Sequence, residues 1–187
     1  MAASQIFGIN SSSQYFEIPA VVINNKPKLC AAKERPRFGT NGAYMASEYR
    51  EWQNKVISYL NQQQVQAFPE RFGLIFCFHG SLRADIDNAI GALLDVFVAN
   101  GLAINDSPSY YIGSCCFIEP IIKTGPRGGR KKLNPQEQLN DYHIKCYVMD
   151  EQRYEIAKIA IFDLLRSWQL PTNERLFKSS EVLLFGR

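Results

Sequence analysis

Histidine is nearly absent: His79 and His143 are the only two in 187 residues. Cysteine is present five times, at Cys30, Cys77, Cys115, Cys116 and Cys146, but no two are spaced as C-x-x-C. Structural zinc sites draw four closely spaced Cys and His ligands, so a zinc centre is not expected. An odd set of thiols, three of them inside apolar runs (Cys77, Cys115, Cys146), does not suggest a disulfide framework either. Long apolar runs are also missing. None approaches the roughly 20 residues needed to span a bilayer. The opening Met1-Ala2-Ala3-Ser4-Gln5 lacks the charged start and apolar stretch of a secretion signal. These absences lead us to expect a cytoplasmic chain with no membrane partner. An excess of one sign of charge is also lacking, since 21 Lys and Arg against 18 Asp and Glu leave a net charge of only +3. Any reading of partners must therefore rest on where charge clusters.

No internal repeat and no shift in composition divides the chain, whose length suits one domain with a sizeable core. Residues 1–14 are polar and expected to be poorly ordered. Tyr15–Ile18 and Ala20–Ile23 read as strand, with Pro19 marking an edge or bulge. Residues 24–46 read as a long loop carrying Lys26, Lys28, Lys33, Arg35 and Arg37 against a single acid, Glu34. Ser47 suits a helix N-cap, and Trp52, Val56, Tyr59 and Leu60 follow at helical spacing. Phe72–His79 reads as a strand buried on both faces. The stripe Ile90, Leu93, Leu94, Phe97 and Val98 predicts a helix over about Asp87 to Asn100, stopped by Gly101. Tyr110–Lys123 and Tyr142–Met149 read as strands forming a hairpin around a basic loop, residues 124–140. Gln152–Gln169 predicts an amphipathic helix with Ile156, Ile159, Ala160, Leu164 and Trp168 on one side. The fold class expected is α+β, a single domain with a mixed β-sheet flanked by helices and a C-terminal helical extension over residues 150–187.

The chemistry is concentrated in Asp85-Ile86-Asp87-Asn88 and in Asn105-Asp106 beyond the next helix. Asp85 and Asp87 lie two apart where an apolar strand ends. If the helix folds back, Asp106 joins them, and three carboxylates can hold a magnesium ion while leaving room for phosphate oxygens and water. The plainer alternative is that Asp87 caps the helix, Asp85 is a solvated turn residue and Asp106 makes an Asx turn before Pro108. Asp95 reads more readily as a helix-face charge or an ion-pair partner than as a ligand.

Order and spacing add a resemblance. Arg83-Ala84-Asp85-Ile86-Asp87-Asn88, Leu93-Leu94-Asp95, Asn100-Gly101-Leu102 and Asn105-Asp106 together resemble the core of the RusA-type Holliday-junction resolvases. Upstream, Arg35-Pro36-Arg37-Phe38, Tyr44 and Tyr49-Arg50-Glu51-Trp52 resemble that family's R-P-R-F…Y…Y-x-x-W segment, and Lys123 matches the lysine that ends its next strand. The likeness covers about residues 15–149. It implies a RusA-like nuclease domain, a homodimer, and Mg2+-dependent nicking of four-way DNA junctions in recombination and repair. Mn2+ would be a possible substitute, and the location would be cytoplasmic, at the nucleoid. Asp85, Asp87 and Asp106 would bind the metal, and Arg83 or Lys123 would assist. Two positions depart from the pattern. Gly91 stands where the family usually has a lysine one turn after the second aspartate, and Asn105 stands where an aspartate is common. A binding protein of the same fold that does not cut is therefore the alternative.

Lys123, Arg127, Arg130, Lys131 and Lys132 fall within ten residues free of acids, interleaved with Gly125, Gly128 and Gly129. The stretch suits an arm that contacts DNA phosphates, although a solvated loop would have the same composition. Arg35 and Arg37 make the second candidate DNA surface, where Phe38 and Tyr44 could stack on unpaired bases.

Overall fold

The computed structural model describes residues 13–31, 37–39, 42–44, 46–80, 82, 84–121, 123–125, 130–131, 133–167 and 181–185. Its centre is a mixed sheet of five strands. In chain order these are β1 (Ser13–Pro19), β6 (Phe72–His79), β7 (Tyr111–Glu119), β10 (His143–Asp150) and β11 (Glu181–Phe185), and across the sheet they run β1-β10-β6-β7-β11. Three short ribbons sit outside it: β2 (Val21–Ile23) with β3 (Lys26–Lys28), β4 (Arg37–Gly39) with β5 (Gly42–Tyr44), and β8 (Lys123–Thr124) with β9 (Arg130–Lys131). The helices are α1 (Ser47–Gln62), α2 (Ile86–Ala99), α3 (Pro135–Asp141) and α4 (Glu151–Ser167). An α+β fold with a helix-flanked mixed sheet is what the pattern of elements predicted.

The sequence Phe72-Gly73-Leu74-Ile75-Phe76-Cys77-Phe78-His79 explains the centre. Leu74, Phe76 and Phe78 alternate toward the main core, together with Trp52, Val56 and Leu60 of α1 and Leu93 and Phe97 of α2. Ile75 belongs to the smaller core beneath α4, with Cys115, Met149, Tyr154 and Ala157. A strand covered on both sides has no polar face to keep, hence its near-continuous apolar run. β6 and β7 are parallel, and α2 is the crossover that joins them.

Three expectations are corrected. The last two long strands do not form a hairpin. β10 inserts between β1 and β6, antiparallel to both, and β7 lies on the far side of β6. Local sequence cannot separate these arrangements, because an alternating strand pairs equally well with several neighbours. Next, residues 124–140 are not all loop. Asn134 opens α3 with a capping box, its Oδ1 accepting from the Glu137 N–H at 2.8 Å while Glu137 Oε2 accepts from the Asn134 N–H at 2.9 Å. Similarly, Ser47 is the first helical residue of α1 and Ala46 is its N-cap.

The C-terminal extension is helix plus strand, since β11 pairs antiparallel with β7. The face of α4 that docks is not the one the isoleucines mark. Tyr154 and Ala157 are buried, while Ile156 is 61% and Ile159 57% exposed. The reason is Gly73, where an added Cβ would stand 2.1 Å from Tyr154 Cγ. The missing side chain lets the tyrosine ring lie on the sheet, on the face of α4 that also packs Ala157 and Ile161 against the smaller core.

Candidate functional site

β6 ends at His79, and Gly80 turns the chain with φ +118°, a conformation that side-chain-bearing residues rarely adopt. Asp85 is then the N-cap of α2. Its backbone carbonyl accepts from the Ala89 N–H at 2.9 Å, but its carboxylate makes no capping hydrogen bond. Asp87 lies in the first turn. Both side chains are exposed, with no partner among the described residues. Two exposed carboxylates thus stand at the positive end of a helix dipole, which favours their charged form, and the N-cap Asp85 makes no side-chain capping bond. This position lies beyond the C-terminal end of the central strand β6, in its parallel pair with β7, a recurrent ligand position in α/β sheets.

Asp106 does not join them within one chain. After α2 the chain returns to the start of β6: the Phe68 N–H donates to the Leu102 carbonyl at 2.7 Å and the Phe72 N–H to the Tyr110 carbonyl at 2.9 Å. Tyr110 and Tyr111 both donate to the Ser107 carbonyl, which holds this loop at the N-terminal ends of β6 and β7. Asp106 is therefore about one helix length, roughly 20 Å, from Asp85 and Asp87. A straight crossover helix delivers the chain to the opposite end of the sheet and does not fold it back. Asp106 is exposed, and the Asx turn predicted there is made by its neighbour, with Asn105 Oδ1 accepting from the Ser107 N–H at 2.8 Å.

Lys123 sits in the β8–β9 ribbon, opposite Lys131, with Thr124 opposite Arg130. The basic stretch therefore begins and ends in a two-stranded arm. Lys123 Nζ pairs with Asp141 Oδ2 at 2.7 Å and Glu137 Oε1 at 3.8 Å, so its charge is shared with α3. The hydrogen bond to Asp141, then the negative charge nearby, holds the ammonium above its ordinary pKa. Arg37 is in β4, opposite Tyr44. Arg35, Arg83, Arg127 and Lys132 lie outside the described residues, as do the side chains of Arg37, Arg130 and Lys131. Asp95 is a structural partner, its Oδ2 accepting from Tyr49 Oη at 2.7 Å. Burial first, and that acidic partner second, push the Tyr49 hydroxyl pKa up.

One grouping near this end of the sheet went unseen in the sequence. Cys77 and His79 share a face of β6, and the register sets His79 between Glu119 of β7 and His143 of β10. His79 Nδ1 lies 3.0 Å from Glu119 Oε2, and the two imidazoles stack with centroids 4.4 Å apart and planes 11° from parallel. Burial, then the charges of Lys145 and His143, hold His79 below its ordinary pKa. Burial and the Glu119 carboxylate raise the Cys77 thiol, opposed by Lys145. The only signal in the sequence was Cys77-x-His79 on one strand. Glu119 and His143 are brought in by strand order, which the sequence reading had wrong.

No protein-family model matches the sequence, and no curated protein is significantly similar to it.

Proposed function

We propose that the protein is a metal-dependent endonuclease acting on branched DNA, resolving four-way junctions by paired hydrolytic nicks. The observation that carries this reading is the pair Asp85 and Asp87, exposed and unpartnered at the N-terminus of α2. Their donor set fits the group. Mg2+ is a hard ion that takes oxygen ligands and is commonly held by one or two protein carboxylates with waters completing the octahedron. Such an ion would neutralise phosphate charge and lower the pKa of water. The protein's share is to hold the two carboxylates at a helix start and to present cations to the DNA backbone. Lys123, Arg130 and Lys131 share the β8–β9 arm and are, with Arg127, Lys132, Arg35, Arg37 and Arg83, the candidates for that basic surface.

We propose that a second copy of the chain supplies the third carboxylate. A homodimer with a two-fold axis matches the symmetry of a four-way junction, and its axis relates the Asp85 end of one copy to that of the other. Because Asp106 lies at the opposite end of α2, we place it beside the Asp85 and Asp87 of a second copy. One observation favours the alternative, a junction-binding protein that does not cut: Lys123 is already paired with Asp141 and so is less available to a scissile phosphate. The deciding experiment is nicking of an end-labelled four-way junction with Mg2+ or Mn2+, with duplex and single-stranded controls. Paired nicks confined to the junction support the enzyme. Salt-sensitive binding without nicks supports the alternative.

A further inference from the structure

We propose that Cys77, His79 and Glu119 form a second metal site, for a divalent ion of the zinc class, independent of the nuclease reading. One donor atom from each of the three residues lies within 4.8 Å of the others, the one such group among the described residues. Tetrahedral zinc, with bond lengths of about 2.0–2.3 Å, sets its donors roughly 3.5 Å apart. The remaining closure is small, and Glu119, whose side chain is 62% exposed, can supply it by rotation. Cys77 and His79 are held in place by the central strand of the sheet. A second observation is that His79 Nδ1 already stands 3.0 Å from Glu119 Oε2, close to the spacing of two ligands on one tetrahedral ion.

The donor chemistry sets the class of ion. One thiolate, one imidazole and one carboxylate suit a borderline-soft ion such as Zn2+ or Co2+, whereas Mg2+ prefers oxygen alone. Two ligands from β6 and one from β7 would clip the parallel strands together next to Gly80, where the chain leaves for Asp85. Three protein ligands leave a fourth position for water or an exogenous ligand. Charge balances as well, since thiolate and carboxylate neutralise the ion.

The experiment is Co2+ titration of the full chain, purified with a chelator and a reductant that does not bind metal, followed by absorbance. The expected result is one equivalent of Co2+ with a near-ultraviolet thiolate-to-cobalt charge-transfer band and intense visible bands of a tetrahedral ion, both displaced by Zn2+. Cys77→Ser should abolish the charge-transfer band, and Cys30→Ser should keep it. Glu119→Gln, on an exposed side chain that leaves folding intact, should weaken Co2+ at least 10-fold. Zn2+ should raise the melting temperature of the wild type and not of Cys77→Ser. Absence of the band at stoichiometric cobalt, its persistence in Cys77→Ser, its loss in Cys30→Ser, or unchanged affinity in Glu119→Gln would each overturn the site. None of these readouts depends on DNA cleavage.

Discussion

Tyr49 Oη donates to Asp95 Oδ2 at 2.7 Å, tying the first turn of α1 to the middle of α2. Tyr49 is 3% exposed and its ring lies beside Trp52, which is fully buried. The Tyr-x-x-Trp segment and the aspartate of α2, two pieces of the resolvase-like pattern far apart in sequence, are thus one packing unit.

From this we expect Tyr49→Phe to lose about 1.5–3 kcal/mol, the usual worth of a hydrogen bond to a charged group. Asp95→Asn should likewise lower stability while leaving the single-turnover cleavage rate of the folded protein within a few-fold of wild type. Urea denaturation and a rate measurement at saturating enzyme check both. Loss of cleavage in a stable Asp95→Asn protein would move this residue into the metal site.

Asp85→Asn and Asp87→Asn should each abolish junction cleavage while binding survives or tightens, because each change removes a metal ligand and a negative charge facing phosphate. Asp106→Asn should also be inactive. If the third carboxylate comes from a second copy, mixing Asp85→Asn/Asp87→Asn with Asp106→Asn should restore activity at one of the two sites of a mixed dimer. A mixture as inactive as its components would show that Asp106 does not act across copies.

Replacing Arg127, Arg130, Lys131 and Lys132 with alanine should weaken junction binding and flatten its salt dependence. Four lost phosphate contacts correspond to a change of about 3.6 in the slope of log K on log salt. Fluorescence anisotropy across a salt series measures it, with a thermal melt to establish folding. An unchanged slope would make the arm a bystander.

Gly91 lies inside α2, whose backbone is helical through this position. Gly91→Lys should therefore add up to about 1 kcal/mol of stability through helix propensity. It also stands one turn after Asp87, where an ammonium near the scissile phosphate should raise the cleavage rate, on the order of 10-fold. A slower, well-folded mutant would indicate that DNA or another backbone approaches closely at the glycine.

Gly73→Ala should destabilise the protein by about 1–3 kcal/mol, the usual cost of overpacking, because its Cβ would collide with the Tyr154 ring. In a Tyr154→Ala background, Gly73→Ala should cost less than it does in the wild type. Strict additivity of the two changes would argue against the contact.

What the sequence by itself determined was whatever depends on local period and composition. β6 is legible because a strand buried on both faces must be apolar throughout. α1 and α2 are legible because one face of each enters the core at helical spacing. The exposed pair Asp85 and Asp87 at a helix start was legible for the same local reason. Tertiary structure decided the rest. Strand pairing carries no local signature, so the insertion of β10 between β1 and β6, and with it the meeting of Cys77, His79, Glu119 and His143, could not be read from the chain. The face of α4 was decided by the fit of Tyr154 on Gly73, because Ile156 and Ile159 mark a helix face as convincingly as the residues that dock. The distance from Asp106 to Asp85 was decided by the direction of α2, since spacing along a helix says how far the chain travels and not which way it returns.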